Sequence, residues 1–297
     1  MTATVKIRRL AYALGAEVTG IDLSKDLSSD TLLDIRKAWL AHQLLRFPDQ
    51  KLSESELLTF VKSFAAQKPV RPDERITTLS RSDDSTAGRW DGYKDGHNWH
   101  SDKSFTANPT EATMLYCRST PAVGGDTVFA NMYTAFDSLS ATMKGILEGL
   151  SAIHVRQLAL RPLYKMTNGV DNLREQIEAT ELSNAATSST AIHPAVLIHG
   201  ETNRKALFLG SRVRQFVGMT EEESRPLIDF LNRHAVSYEF TYRHSWSVND
   251  LVMWDNRCLL HIALCDYDVE HDCRHMLRCV IPRQGAHDQV LTDETAK

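Results

Sequence analysis

Residues 98–105 read NWHSDKSF, and the reading of this stretch decides what the rest of the chain must build. His100 and Asp102 stand two positions apart. Successive side chains of a strand alternate between faces, so in a strand both point the same way. Two such donors make half of a metal site, and a second, distant strand must then supply the remainder. Spacing alone does not settle the matter. With 12 histidines, about one His-x-Asp or His-x-Glu arises by chance at average acidic content. His199 and Glu201, in IHGET, share the spacing. They fall across a turn, where exposed polar residues are expected, and are read as solvated.

Working outward, residues 67–98 are polar, charged and weakly periodic, which predicts a long lid loop just before the motif. After it, EATMLYCRS and GDTVFANM read as strands joined through Pro121, Gly124 and Gly125. Near the start, TVKIRRL and AEVTGIDL alternate and predict an opening pair of strands. Residues 29–45 predict a helix with Leu32, Leu33, Ile35, Trp39, Leu40 and Leu44 on one face. Ser53 with Glu56, and Thr220 with Glu223, are capping-box signatures before two further helices. AFDSLSATMKGILEGL is helical, and residues 165–190 read as an irregular insertion. AVLIH and KALFLG flank GETNR as a hairpin; YEFTYRH, DLVMWDN and RHMLRCVIP are strands again. Helices cluster early and between strands. The pattern predicts one α+β domain over residues 1–297, built on an antiparallel sandwich or barrel with flanking helices.

The gross numbers exclude several classes. A net charge of −4 leaves no general basic field, so nucleic acid is not an expected partner. No run approaches the length of a membrane span, and MTATVKIRRL has no apolar leader core. The five cysteines are odd in number, and the Cys273 and Cys279 pair has neither zinc-finger nor redox spacing. A reduced, cytoplasmic chain with free thiols is expected.

The chemistry that would use His100 and Asp102 is the two-histidine, one-carboxylate facial triad, which leaves coordination positions open. WDNRCLLHIALCDY offers His261, the one histidine of a largely apolar segment. Taken alone, His261 is as well explained as a satisfied core histidine. CRHMLRC offers Arg274 and Arg278, four apart and on one strand face. Arginine suits a carboxylate because its planar fork donates two hydrogen bonds at once. Taken alone, each is also an ordinary surface arginine, as Arg212 and Arg214 in GSRVRQF are read to be.

The order WHSD, GGDT, WDNRCLLH, RHMLR resembles the taurine dioxygenase and aryloxyalkanoate dioxygenase superfamily, and the similarity runs nearly end to end. The resemblance implies a double-stranded β-helix (jelly-roll) core and an oxygenase using Fe(II), 2-oxoglutarate and O2. It matches His100, Asp102 and His261 to the iron ligands, and Thr127 and Arg274 to the clamp on the distal carboxylate of 2-oxoglutarate. It matches Arg278 to the arginine that, in the taurine enzyme, holds the sulfonate of the substrate; Lys103, a possible second cation, and Asn98 are read beside it as further substrate residues. Trp254, Asp255 and Asn256 match a supporting turn. The implied substrate is a small organic anion oxidised at an aliphatic carbon, with succinate and CO2 as co-products. A catalytically silent jelly-roll binder or sensor is the alternative, and a homo-oligomer, dimer or tetramer, is expected by analogy. Lys103 after the aspartate, and the absence of histidine from AAQKPVRPDERI, depart from the taurine enzyme and point away from taurine.

Overall fold

Alternation along the strands builds two facing sheets. The computed structural model describes residues 5–67, 76–81, 98–156, 190–268 and 271–282. Its strands are β1 (Lys6–Arg9), β2 (Ala16–Thr19), β3 (Leu44–Phe47), β4 (Thr77–Arg81), β5 (Thr110–Ser119), β6 (Thr127–Asn131), β7 (Ser151–Val155), β8 (Thr190–Pro194), β9 (Val196–Ile198), β10 (Lys205–Leu207), β11 (Val213–Phe216), β12 (Thr241–His244), β13 (Leu251–Asp255), β14 (Leu259–Ala263) and β15 (Arg274–Pro282). The wide sheet runs β1-β2-β3-β13-β5-β15-β4, antiparallel except for β2 beside β3. Opposite it lies β12-β6-β14, and β11-β7-β8 forms a third, smaller sheet.

Period-two patterning sorts the wide sheet's side chains into two cores. Leu115, Cys117, Val252, Trp254 and Met276 point inward and meet Phe129 and Leu259 of the opposing sheet. Phe129 packs edge-on to Trp254 with ring centroids 5.3 Å apart. The residues between them, Met114, Tyr116, Leu251, Met253, Leu277 and Cys279, point outward. They pack under the helices α1 (Ser29–His42) and α2 (Glu54–Ala65), which contribute Ile35, Trp39, Leu57, Phe60 and Phe64. The central strands of the wide sheet are thus buried on both faces, while His261 stands on β14 of the opposing sheet.

The opening strand pair, both capping boxes and the hairpin of β9 and β10 form as the sequence predicts. Three expectations change. The first helix stops at His42 because Gln43 turns left-handed, φ +63°, and caps on Trp39 O; Leu44 opens β3 instead. On that helix Leu33 is exposed and Arg36 is buried, drawn in by an ion pair with Glu201. AFDSLSATMKGILEGL is not one helix but two, α3 (Met132–Asp137) and α4 (Ala141–Leu147), because Ser140 caps a new start. Residues 77–81 of the expected lid loop pair with β15 as an edge strand. The rest of that loop's residues 68–75 and 82–97, and the insertion at 165–190 but for Thr190, lie outside the described residues. The last long helix, α5 (Glu221–Ala235), closes one end over β11. Among the described residues no helix is long and apolar enough to cross a membrane.

Candidate metal centre

His100 and His261 face each other across a short antiparallel bridge. Each backbone N–H donates to the other's carbonyl, at 3.0 and 2.9 Å. Directly opposed residues of an antiparallel pair point the same way, and the two rings lie 4.2 Å apart between centroids. The chain then turns sharply. Asp102 returns to the same face, with its Oδ1 3.6 Å from His100 Nε2 and 3.8 Å from His261 Nε2. The three donor atoms all lie within 4.8 Å of one another, and all three residues are buried. Among the described residues this is the one cluster of three or more histidine, cysteine or carboxylate groups close enough to share an ion.

The donors are prepared for coordination. Asn98 contributes its backbone: its carbonyl accepts from His100 Nδ1 at 2.7 Å. A carbonyl only accepts, so Nδ1 carries a proton and Nε2 is the nitrogen turned toward Asp102. Burial pushes His261 down to about 3, His100 adds to this, and Asp102 opposes it. Arg278 and Arg212 lower it further, so the ring is neutral at pH 7. Burial raises the Asp102 carboxyl, but its neighbours His100, His261 and Arg278, the last a guanidinium 3.8 Å away, outweigh it. Asp102 therefore sits well below the usual carboxylate range and is ionised.

A ring of partners fixes the aspartate. Thr113 Oγ1 donates to Asp102 Oδ2 at 2.6 Å, and the Asp102 N–H donates to Asn256 Oδ1 at 3.2 Å. Asn256 Oδ1 also accepts from Trp254 Nε1, and its Nδ2 donates to Thr113 Oγ1 at 2.9 Å. Below lies a buried charge network. Asp255 takes His199 Nε2 at 3.0 Å and a fork from Arg257, and Arg257 reaches Glu201 at 2.7 Å. The expectation that His199 and Glu201 are solvated is therefore wrong. His199 is buried, because the β9–β10 hairpin folds onto the Asp255 turn instead of into solvent.

Beside the metal-type cluster, GGDT brings Thr127 to Arg274. Gly124 and Gly125 adopt φ +82° and +71°, and a Cβ at Gly124 would lie 2.2 Å from the Asp266 carbonyl oxygen. Arg274 Nε donates to Gly125 O at 2.9 Å, and its Nη2 lies 3.4 Å from Thr127 Oγ1. Trp246 Nε1 donates to the same hydroxyl at 3.1 Å; nothing in the sequence pointed to Trp246. Arg274 and Arg278 share the inner face with Met276, as their even spacing predicts. Arg278 Nη1 approaches Asp102 Oδ1 at 3.8 Å, and its buried Nε has no hydrogen-bond partner. Lys103 is half-buried in the turn after Asp102 with φ +54°. Arg212 is not the exposed residue expected. It is 4% exposed, because the N–H of Ser211 donates to Trp99 O and draws the segment against the site. Arg214 is half-buried and pairs with Glu221. Lys68, Arg71 and Arg75 lie outside the described residues.

Comparison with known proteins places this arrangement. The family model "Taurine catabolism dioxygenase TauD, TfdA family" matches residues 6–280. The chain is 33% identical over 270 residues to an (S)-phenoxypropionate/alpha-ketoglutarate-dioxygenase of Sphingobium herbicidovorans, covering 89% of this chain and 90% of that protein. It is 31% identical over 274 residues to an alkylsulfatase of Acinetobacter baylyi, covering 91% and 83%. The structure superposes on that of AAD-2 in complex with Mn(II) and N-oxalylglycine with a TM-score of 0.76 and 28% identity, covering 95% of this chain and 99% of that one. With a family match across almost its whole length and two buried histidines and an aspartate gathered in a jelly roll, the chain belongs to the TauD, TfdA family of alpha-ketoglutarate (2-oxoglutarate)-dependent dioxygenases.

Proposed function

We propose that His100 Nε2, Asp102 and His261 Nε2 hold the Fe(II) of this dioxygenase, and that Arg274 with Thr127 holds the distal carboxylate of 2-oxoglutarate. The observation that carries the reading is the meeting of two imidazoles and one ionised carboxylate, buried and within 4.8 Å of one another. That donor set is the facial triad of non-haem iron oxygenases, and it leaves positions for a bidentate co-substrate and O2. Bound Fe(II) with 2-oxoglutarate supplies the O2 chemistry that oxidises an aliphatic C–H bond, releasing succinate and CO2.

The chain's residues bind, orient and neutralise. Thr127 Oγ1 already accepts from Trp246 and faces Arg274, so its own hydrogen is available to donate to a carboxylate oxygen. Arg274 is pinned through Nε to Gly125 O, which fixes the plane of its fork. Asn256 and Thr113 hold Asp102 so that one carboxylate oxygen stays turned to the histidines.

The prime substrate is a small organic anion. Arg278, an inward guanidinium beside Asp102, receives its acidic group, and Lys103 and Asn98, which flank the metal-type motif in sequence, are the further residues assigned to substrate. The relatives named for phenoxypropionate and for alkyl sulfates support this class. Where the oxidised carbon bears an ether or sulfate oxygen, the resulting alcohol collapses and releases that group. A silent binder is disfavoured, since its ligand would not need the Arg274–Thr127 clamp. This reading takes residues 1–297 as one domain, acting in the cytoplasm as a dimer or tetramer.

The test is optical. Fe(II) and 2-oxoglutarate added under nitrogen should give a weak visible charge-transfer band that His100→Ala abolishes. Absence of the band, or its survival in His100→Ala, would sink the proposal.

A further inference from the structure

His100 and His261 are tied to each other by their backbones, whereas Asp102 stands in a turn. That turn is not an easy one to hold. Lys103, directly after the aspartate, adopts φ +54°, a conformation that L-residues rarely take. Inside the turn the Thr106 N–H donates to Lys103 O at 2.9 Å, and the Ser104 N–H reaches Ser101 O only at 3.4 Å. Ser104 is buried, so its carbonyl needs a donor from elsewhere in the molecule.

The donor comes from the third sheet. His193, in β8, places Nε2 2.8 Å from Ser104 O and 3.1 Å from Thr106 O. Carbonyls only accept, so Nε2 carries a proton and the two oxygens share it. His193 is fully buried. The rings of His154 and Phe208 stand edge-on to it, with centroids 5.2 and 5.3 Å away, and fix its plane. The two carbonyls bracket Phe105, whose ring centroid lies 4.7 Å from the Arg212 guanidinium and 5.8 Å from that of Arg156. Arg156 follows β7 and Arg212 precedes β11. One sheet thus holds both the backbone of the turn and its aromatic side chain.

We propose that His193 is a positioning residue for the metal centre: its shared N–H locks the Lys103–Thr106 turn, and the third sheet thereby sets where the Asp102 carboxylate stands. The inference rests on the reading of Asp102 as an iron ligand. It gives His193 no contact with iron, co-substrate or substrate. Its signature is selective. Loss of the donor should displace Asp102 and spare Arg274 and Thr127, which stand on β15 and β6.

The test is an anaerobic Fe(II) titration of the full chain, with KM for 2-oxoglutarate at saturating iron and the denaturant midpoint measured on the same proteins. His193→Gln keeps an N–H near the Nε2 position, His193→Asn keeps the amide but ends short of the turn, and His193→Phe keeps a ring without the donor. The Fe(II) Kd should rise about tenfold or more in His193→Phe and His193→Asn, the scale for losing a ligand's outer partner, and stay within about threefold of wild type in His193→Gln. KM for 2-oxoglutarate should not change in any of them. His154→Phe, which keeps a ring beside His193, is the packing control and should bind iron as the wild type does. Wild-type iron affinity in His193→Phe would overturn the proposal. So would equal affinities in His193→Gln and His193→Asn, a comparison that decides alone should His193→Phe not fold. Iron binding weakened as much by His154→Phe as by His193→Phe would also overturn it, by showing general loosening. A wild-type chain that binds no Fe(II) would instead remove the dioxygenase reading itself, and this inference with it.

Discussion

At the residue scale, the candidate site is shaped by the partners that hold His100, Asp102 and His261 as much as by those three residues. Asn256 illustrates this. One side chain accepts from the Asp102 backbone and from Trp254, and donates to Thr113, which in turn donates to Asp102. Removing such outer partners typically costs about 10–100-fold in metal affinity. We predict that Asn256→Ala weakens Fe(II) binding by about that factor, measured by anaerobic metal titration, while KM for 2-oxoglutarate changes little. An unchanged metal affinity accompanied only by lower stability would show Asn256 to be a packing residue. That His100, Asp102 and His261 come together, with Thr127 by Arg274 and Arg278 by Asp102, could be anticipated from the sequence because their residue types are chemically specific and their order is distinctive. Arg212 and His199 were misread, because burial of a polar side chain is set by what another segment places over it.

At the scale of elements, the proposed clamp of Arg274 and Thr127 depends on one turn. Gly124 and Gly125 let the chain double back beneath Asp266, whose carboxylate accepts from the Gly125 N–H at 2.9 Å. Arg243 ties Asp126 to Asp266, both at 2.6 Å, and so braces both ends of the turn. A methyl group at Gly124 meets backbone at 2.2 Å in a conformation that L-residues rarely adopt. Gly124→Ala is therefore predicted to displace Gly125 O from Arg274 and raise KM for 2-oxoglutarate at least tenfold, with metal affinity retained. An unaltered KM would show that the clamp does not need this turn. Strands and caps were legible because alternation and capping boxes are local signals. The break at Ser138–Ser140 and the edge pairing of Thr77–Arg81 were not, because a polar stretch joins a helix or a sheet only where tertiary neighbours receive it.

At the scale of the whole molecule, buried neutral histidines link stability to acidity. Burial holds His154 well below its ordinary value, and His244 is pushed down to about 3 for the same reason, with Arg46 and Arg274 adding. Their folded-state values lie below the unfolded value near 6.5. The unfolded chain therefore binds more protons once pH falls below about 6.5, and stability declines from there downward. Each such histidine contributes a slope of up to about 1.4 kcal/mol per pH unit. Denaturant midpoints measured from pH 7 to pH 4 should fall, and His154→Phe should flatten that fall by one proton's worth. Parallel pH profiles for the two proteins would contradict this. The jelly roll itself was legible as an antiparallel class with flanking helices. How its sheets face each other was not, since that depends on which face of each strand finds the other's core.

The most direct measurement of the central claim is a crystal structure with Mn(II) in place of iron and N-oxalylglycine in place of 2-oxoglutarate. That structure should show one metal ion bonded to His100 Nε2, an Asp102 carboxylate oxygen and His261 Nε2, and a distal carboxylate on Arg274 and Thr127. A metal that omits any one of the three ligands, or an analogue carboxylate held away from Arg274, would contradict it.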